Sequence, residues 1–324
     1  MIRFRSGRPS LSVVVVVYDM ARELPRTLRS LAPGYQQGIA ADDYEVVVVD
    51  NGSPVPIDPA VLASFPGRLR TTRIDPAPPS PAHAANVGAE LAGGELVGLL
   101  IDGARMASPG LLARALLARR LADRPLIASL GWHLGPALHA RAESSGYDQA
   151  AEDRLLAELD WERDGYRLFE HATLAESSSR GWFAPMGESN GLFMLAGMWS
   201  ALGGLDEAFA LPGGGLANHD FFRRACEADG TQLIVLLGEG TFHQIHGGAA
   251  TSGRIGWDEM HAEYVALRGR PYRPPENERL YLGTVPPSAL PHVEHSAQRA
   301  LDLLANRRDS RPNSGTHSRR FDEG

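Results

Sequence analysis

The stretch that decides the fold is LSVVVVVYDMARELPRTLRSL at residues 11–31, followed by YEVVVVD at residues 44–50. Both valine runs lack polar alternation, which is typical of strands that are covered on both faces, as in a parallel sheet. Between them, Leu24, Leu28 and Leu31 recur at helical spacing. A strand, a helix and a second strand in this order predict a right-handed βαβ unit.

The same alternation continues along the chain. Residues 81–94 (PAHAANVGAELAGG) are typical of a helix that two glycines end, and a buried strand follows at residues 96–101,. Residues 108–123 predict a helix with Ser108 as its N-cap, and residues 126–134 predict a further strand,. We therefore expect an α/β protein with an open, mostly parallel sheet flanked by helices. Its ligands should bind at the carboxyl ends of the strands.

The composition limits the possible functions. The chain has 324 residues, enough for one large α/β domain or two modest ones,. All 32 basic residues are arginines, which excludes a Schiff-base lysine and a P-loop,. The net charge of −7 gives no sign of a nucleic-acid partner,. A single cysteine, Cys226, excludes an internal disulfide and a cysteine-rich metal site,.

The apolar run at residues 13–17 is far too short to cross a bilayer, which takes about 20 apolar residues. The sequence opens without a signal peptide,. We therefore expect no integral membrane segment and a cytoplasmic location, with attachment to a membrane surface left open.

Three aspartates occupy corresponding positions. Asp19, Asp50 and Asp102 each follow or end a predicted strand, so they should meet at one edge of the sheet and form a polar ligand site,. A dinucleotide enzyme would need a glycine-rich turn after the first strand, and residues 18–22 contain no glycine,. A Rossmann dehydrogenase or methyltransferase is therefore disfavoured.

Four blocks of sequence carry a resemblance to a known family: LSVVVVVYDMARELPRTLRSL, YEVVVVDNGS, NVGAELAGGELVGLLIDG, and LGGLDEAF with the GGGLANHDFFRR that follows it. In this order they resemble the family 2 glycosyltransferases of the GT-A fold. The resemblance implies a nucleotide-sugar-binding half at residues 1–131 and an acceptor-binding, catalytic half at residues 132–264. Residues 265–324 would form a proline- and arginine-rich extension with a disordered end.

The resemblance also implies the binding site of the donor, a UDP- or GDP-sugar. The aspartate that ends the second strand in this family reads the nucleotide base, which here implies Asp50. The end of the first strand would lie against the base and ribose, and an Asn-x-Gly segment would lie beside the nucleotide. The corresponding residues of this chain are Val17, Tyr18, Asp19 and Asn86. The acceptor is left open as a glycan, a lipid or a small molecule.

Family members usually carry Asp-x-Asp at the end of the strand that corresponds to residues 96–101, to hold a divalent cation, whereas this chain reads Asp102-Gly103-Ala104-Arg105. One interpretation is that Asp102 binds the ribose or sugar and that Arg105 stabilises the leaving diphosphate without metal. The other is that manganese or magnesium remains, held by Asp102 with His246, or secondly His243. A third is that Asp102 only caps a turn.

The resemblance places a catalytic base at the start of a helix after a glycine-rich loop. Asp220 matches this position in type and place, although acids in first turns are also ordinary helix stabilisers. A slip of two residues in the alignment would put Asn218 there, which cannot act as a base. His219 is the alternative base.

The segment MGESNGLF at residues 186–193 is expected to form a wall of the substrate site, with Glu188 and Asn190 as polar contacts. Trp182 and Trp199 would stack on sugar rings or pack in the core.

The predicted function is thus an inverting glycosyltransferase. The alternatives are a catalytically inactive nucleotide-sugar-binding protein with a degraded Asp-x-Asp motif, and another nucleotide-using α/β transferase.

Overall fold

The protein is described by a computed structural model that covers residues 7–141, 146–247 and 255–309. Within these residues one sheet has the strand order β10-β9-β6-β8-β4-β1-β2-β3, with β5 paired to β9 and β7 paired to β6. The strands are β1 (Leu11–Val17), β2 (Tyr44–Asp50), β3 (Arg68–Arg73), β4 (Leu96–Leu100), β5 (Arg105–Ala107), β6 (Pro125–Leu134), β7 (Ala172–Leu174), β8 (Leu192–Leu195), β9 (Gln232–His243) and β10 (Arg279–Gly283).

Helices flank this sheet. They are α1 (Leu24–Leu31), α2 (Pro59–Ala63), α3 (Ala82–Leu91), α4 (Leu111–Ala118), α5 (Gln149–Leu159), α6 (Ala196–Leu202), α7 (Ala217–Glu227), α8 (Trp257–Arg268) and α9 (Leu290–Asp309). The predicted N-cap of α4 is wrong: Gly110 takes that position, because the Ser108 hydroxyl donates instead to the Glu239 carboxylate.

The valines of β1 show why this sequence forms a sheet covered on both faces. Val14 and Val16 belong to a core cluster that includes the alanines of α3. Val13 and Val15 point to the other face and pack in a second cluster with the leucines of α1. Because every side chain of β1 is buried, a run of valines without alternation is the pattern that this strand requires,.

Parallel pairing places the strand ends together. β1 lies between β2 and β4 and is parallel to both, and β3 is parallel to β2. β8 then joins β4 and β6 in antiparallel orientation. The predicted fold class, an open and mostly parallel α/β sheet flanked by helices, is confirmed.

The C-terminal segment joins the same sheet. β10 pairs in parallel with β9, and α9 follows it. The division of the chain at residues 131 and 264 stays a prediction, and the extension's end at residues 310–324 lies outside the described residues. None of the helices in the described part of the chain has the length and apolar character needed to cross a membrane.

Candidate functional site

A cavity of about 1290 Å³ opens at the carboxyl ends of β1 to β4. Its wall on that side is formed by residues that lie within two positions of each strand end, among them Tyr18, Asn51, Asp75 and Asp102. Residues 175–190 and the first turn of α7 form a second wall, which adjoins this edge because Leu192 of β8 pairs with Leu99 of β4. An α/β sheet places ligand sites at this edge, and the volume is sufficient for a nucleotide-sugar.

Asp102 lies in the tight turn between β4 and β5. Its Oδ1 accepts a hydrogen bond of 2.9 Å from the Ala104 N–H, which is the turn-capping contact. Gly103 is required here, because a Cβ atom at this position would lie only 2.8 Å from a methyl group of Val17. Capping engages only one oxygen, and Oδ2 lies 2.8 Å from Nε2 of His243 and 3.3 Å from Nε2 of His246.

The pairing of β5 with β9 explains why these residues meet. In this antiparallel pair Arg105 lies opposite His243, so the turn before β5 is brought against the end of β9. His246 follows three residues after the strand and reaches the same carboxylate oxygen. The sequence-based grouping of Asp102 with the two histidines therefore corresponds to one spatial cluster, which we call the Asp–His cluster (Asp102, His243, His246).

A chain of hydrogen bonds determines how the buried imidazoles are protonated. Nε2 of His139 lies 3.0 Å from the Leu134 carbonyl, which can only accept, so this nitrogen carries the proton. Burial lowers the pKa of His139 to about 4, so its Nδ1 is a lone pair. That Nδ1 lies 3.0 Å from Nδ1 of His243, which must donate. Burial also lowers the pKa of His243, to about 3, so its Nε2 is left without a proton.

The Asp–His cluster consequently holds two electron-rich atoms in contact. Burial by itself raises the pKa of Asp102, but the neighbouring His246 imidazole outweighs it and holds the pKa well below its ordinary value. The carboxylate Oδ2 and the bare Nε2 of His243 lie 2.8 Å apart and need a positive charge beside them. A metal cation or a protonated His246 can supply it, since burial lowers the pKa of His246 but Asp102 more than offsets this and raises it. His246 provides a third ligand atom, 3.0 Å from Nε2 of His243.

These spacings fit a divalent cation. Adjacent corners of an octahedron with bonds of about 2.1 Å lie about 3 Å apart. The carboxylate suits hard cations such as manganese and magnesium, and the two imidazoles favour a first-row transition metal, so the set fits manganese better than magnesium. His139, which accepts from the far nitrogen of His243, is the partner that usually orients a metal-binding histidine,.

A second group of histidines fits a cation less well. His133, His139 and His243 have ligand atoms close together, but their nitrogens are already engaged. Nδ1 of His133 accepts from the backbone N–H of His139 at 2.9 Å, and the rings of these two residues stack at 4.4 Å between centroids. Stacked rings direct their lone pairs side by side rather than toward one point. The Asp–His cluster is therefore the candidate cation site.

Arg105 lies beside this cluster with unmet hydrogen-bonding capacity. It is only 6% exposed, yet its Nε and Nη1 have no hydrogen-bond partner among the described residues. Burial lowers its pKa, and the carboxylates of Asp102 and Glu188 act in the opposite direction. A buried guanidinium that lines a cavity with free donors is suited to bind an anion such as a diphosphate,.

On the second wall, formed by residues 175–190 and α7, the Glu188 carboxylate accepts hydrogen bonds from neighbouring amides. Its Oε2 accepts from the Asn218 side chain at 2.6 Å and its Oε1 from Asn190 at 3.2 Å. His219 Nδ1 lies 3.3 Å from Oε2. Burial by itself raises the pKa of Glu188, but His219 and Asn218 more than offset it, so the pKa is lowered. All four residues line the cavity, as the sequence-based assignment expected for Glu188, Asn190 and His219.

Asp220 does not belong to this group. Its side chain is 2% exposed and points away from the cavity, where Arg224 and Arg268 donate to it at 2.6–2.8 Å. The sequence assigned it as the base, but one helical position separates it from the cavity-lining His219. Asp220 therefore pairs with two arginines and not with a ligand in the cavity.

Of the residues predicted to bind the nucleotide, some line the cavity and others do not. Tyr18 and Asp19 line the cavity, and Asp19 has an unusual positive φ of 53°. Asp50 is 3% exposed and accepts from the Ser53 N–H and from Arg73. It shapes the turn that presents Asn51 to the cavity, while Val17 is buried and bonds through its carbonyl to the Asn51 N–H.

Asn86 and the tryptophans lie outside the cavity lining. The Asn86 side chain donates to the Leu205 carbonyl and to Glu207, and so ties α3 to the LGGLDEAF segment. Trp182 is 0% exposed, and its indole N–H donates to the Leu236 carbonyl. Trp199 packs edge-to-face on Phe221 in the core. For both tryptophans the core-packing alternative describes the observed contacts.

Sequence reasoning missed four residues of this site: Asn51, His133, His139 and Tyr272. Asn51 begins the sequence Asn51-Gly52-Ser53, which is typical of a turn, although its Oδ1 is buried and has no partner among the described residues,. His133 could have been noticed as a polar residue at the end of a predicted buried strand. Nothing local connects His139 or Tyr272 to the site, because His243 and Gly187, the residues that they contact there, are remote in sequence.

Comparisons with known proteins bear on the fold. No protein-family model matches the chain, and no curated protein matches it in sequence. Among solved structures, S. aureus TarS is similar with a TM-score of 0.52 at 12% identity, over 94% of this chain and 44% of TarS. The fragment TarS 1-349 is similar with a TM-score of 0.52 at 13% identity, over 94% of this chain and 73% of the fragment.

The TarS fragment has also been solved in complex with UDP and with UDP-GlcNAc. The mannosyltransferase PcManGT from Pyrobaculum calidifontis, in complex with GDP-Man and Mn²⁺, gives a TM-score of 0.47 at 16% identity over 94% of this chain and 76% of its own. That score is too low to bear on this chain. The TarS comparisons confirm the predicted resemblance at the level of the fold.

Proposed function

We propose that this protein is a glycosyltransferase that moves a sugar from a nucleoside-diphosphate donor to an acceptor hydroxyl, with inversion at the anomeric carbon. One observation carries the proposal. The Asp–His cluster and the unpartnered guanidinium of Arg105 converge on one cavity at the carboxyl ends of parallel strands. Breaking a sugar–diphosphate bond requires stabilisation of the negative charge that develops on the diphosphate, and this arrangement supplies positive charge at one point.

The donor would be a UDP-sugar. The shared fold with TarS supports this choice, because TarS 1-349 binds UDP and UDP-GlcNAc. The nucleoside would lie against Tyr18 and Asp19, and the unpartnered Oδ1 of Asn51 would accept a hydrogen bond from the base. Asp50 would act through the turn that it shapes rather than by contacting the nucleotide.

The diphosphate would lie between the Asp–His cluster and Arg105. Asp102, His243 and His246 would hold a divalent cation, and the donors of Arg105 would bind diphosphate oxygens. When bound, the cation supplies charge neutralisation for the leaving diphosphate. His139 keeps the Nε2 lone pair of His243 directed at the cluster by accepting the proton on the other ring nitrogen,.

Inversion follows from a single displacement at the anomeric carbon. The acceptor would approach from the wall formed by Glu188, Asn190 and His219, which we call the acceptor wall. Such a displacement needs one group to take the acceptor proton and no enzyme nucleophile.

Thermal-shift binding tests the donor site. UDP, UDP-GlcNAc, GDP and GDP-mannose are added to the protein with manganese, and then with excess chelator. We expect uridine nucleotides to raise the melting temperature with manganese and to lose most of that effect with chelator. A shift that persists in chelator would assign the diphosphate to Arg105 alone. The absence of a shift with all four nucleotides would overturn the proposal.

Turnover separates an enzyme from a binding protein. UDP release from UDP-GlcNAc and UDP-glucose is followed with manganese, with p-nitrophenyl glycosides as trial acceptors and with water as the only acceptor. We expect UDP release above the spontaneous rate for a donor that also gives a thermal shift. Binding without any release would instead identify an inactive nucleotide-sugar-binding protein.

A further inference from the structure

The proposed reaction needs a base on the acceptor wall, and the acidic residues there are not equivalent. Asp220 has both carboxylate oxygens bonded to Arg224 and Arg268 and lies outside the cavity lining. A proton on Asp220 would break three charge-assisted hydrogen bonds, and no acceptor in the cavity reaches it. Two residues of this helix do face Glu188: Asn218, whose amide has no basic lone pair, and His219,.

Glu188 combines access to the cavity with a fixed orientation. Its side chain is 15% exposed and lines the cavity. Asn218 and Asn190 each donate to one of its oxygens, so the carboxylate plane is held from two sides. Neutral amide donors leave further lone pairs on both oxygens free, whereas the arginine partners of Asp220 engage its oxygens with full charges.

The segment that carries Glu188 is itself anchored. The Gly187 N–H donates to the Ser177 carbonyl at 2.8 Å, and the Tyr272 hydroxyl donates to the Gly187 carbonyl. The Ser189 hydroxyl donates to the Ser129 carbonyl at 2.9 Å, which ties the segment to β6. Backbone contacts on both sides of Glu188 therefore keep its carboxylate at one place on the wall.

We propose that Glu188 is the general base of the transfer, with Asn218 and His219 as its positioning residues. This assignment rests on the proposed function. The acceptor oxygen forms a bond to the anomeric carbon as the bond from that carbon to the diphosphate breaks, and the electron pair leaves with the diphosphate. The hydroxyl proton passes to a carboxylate oxygen of Glu188. After the glycoside and nucleoside diphosphate leave, Glu188 returns the proton to water.

Two isosteric variants separate this assignment from the alternative at Asp220. Glu188→Gln keeps the side chain's shape but removes its capacity to take a proton, and Asp220→Asn does the same outside the cavity. The assay follows UDP release from the UDP-sugar that the wild type consumes, with manganese, well below each variant's melting temperature. Thermal shift with UDP and manganese shows whether each variant retains a folded donor site.

We expect Glu188→Gln to lower kcat for UDP release by about 100-fold or more while its UDP affinity stays unchanged. Glu188→Asp should keep part of the rate, and folded Asp220→Asn should keep most of it. His219→Gln should lose less than Glu188→Gln, because it removes a neighbour and not the base.

Wild-type turnover with undiminished kcat in Glu188→Gln would overturn the assignment and leave the proposed function standing. A larger loss in His219→Gln than in Glu188→Gln would move the base to His219 and also overturn it. If the wild type neither binds UDP nor releases it from any UDP-sugar, the proposed function fails, and the assignment fails with it.

Discussion

Two aspartates near the cavity, Asp102 on its lining and Asp220 behind it, differ in how their charges are paired. On the strand-end wall, Asp102 contacts His243, whose facing nitrogen carries no proton, and nearby Arg105 has free donors. Behind the wall formed by residues 175–190 and α7, both carboxylate oxygens of Asp220 form salt bridges with Arg224 and Arg268. Polar groups that face a cavity and lack hydrogen-bond partners indicate a ligand site, whereas a charge that is fully paired within the protein stabilises the fold.

The largest expected effect is at Asp102. In Asp102→Asn the cluster loses the only anionic ligand, so manganese affinity in the presence of UDP should fall by about 100-fold or more, beyond the effect of losing an outer partner. Isothermal titration of manganese into the UDP complex measures this. Asp75→Asn is the matched control, because Asp75 lines the same edge with a side chain that is 70% exposed. Equal manganese affinity in wild type and Asp102→Asn would remove the cation site.

Asp220 should show the reverse behaviour. Asp220→Asn leaves Arg224 and Arg268 without a full counter-charge, so the free energy of unfolding should fall by about 3 kcal/mol. Urea unfolding measures the loss. Asp206→Asn, which removes another partner of Arg268 at a 34% exposed site, should cost about 1 kcal/mol or less,. A marginal stability loss in Asp220→Asn together with lost turnover would return Asp220 to the catalytic site.

Arg105 sharpens the comparison, because its charge is buried without a full set of partners. Arg105→Met should weaken UDP binding by about 10- to 100-fold through the loss of charged hydrogen bonds to the diphosphate. Its melting temperature without ligand should stay equal or rise, because unmet buried donors are removed.

Arg180→Met tests whether the loss of any arginine that lines the cavity weakens UDP binding. Arg180 is exposed on the wall formed by residues 175–190, and its loss should leave UDP affinity unchanged. A drop in the ligand-free melting temperature of Arg105→Met, with UDP affinity intact, would assign Arg105 to the fold.

The smallest expected effect is at His139, one contact removed from the cluster. His139→Phe removes the acceptor for Nδ1 of His243, so the tautomer is no longer fixed and manganese affinity should fall by about tenfold. His139→Asn, whose amide oxygen can accept, should recover part of the affinity.

His133→Phe is the control for a change in ring packing, because the His133 ring stacks on His139 but forms no hydrogen bond to His243. The same manganese titration should give nearly wild-type affinity for this variant. Equal losses in His133→Phe and His139→Phe would attribute the effect to packing.

The sequence by itself determined the sheet and the chemistry of its edge. The valine runs of β1 and β2 and the leucines of α1 specify buried strands and a covering helix, since burial patterns are local,. Parallel strands bring Asp19, Asp50 and Asp102 toward one edge, and the pairing of Asp102 with His246 or His243 was one of three interpretations that the sequence left open.

Only the tertiary structure decided which of these groups face the cavity. Asp220 and His219 are neighbours in sequence, but α7 turns one toward arginines and the other toward Glu188. Arg268, 48 residues from Asp220, and His139, 104 residues from His243, are partners that no local pattern indicates. Side-chain roles depend on such long-range partners because burial makes an unmatched charge costly, and the fold alone decides which match is made.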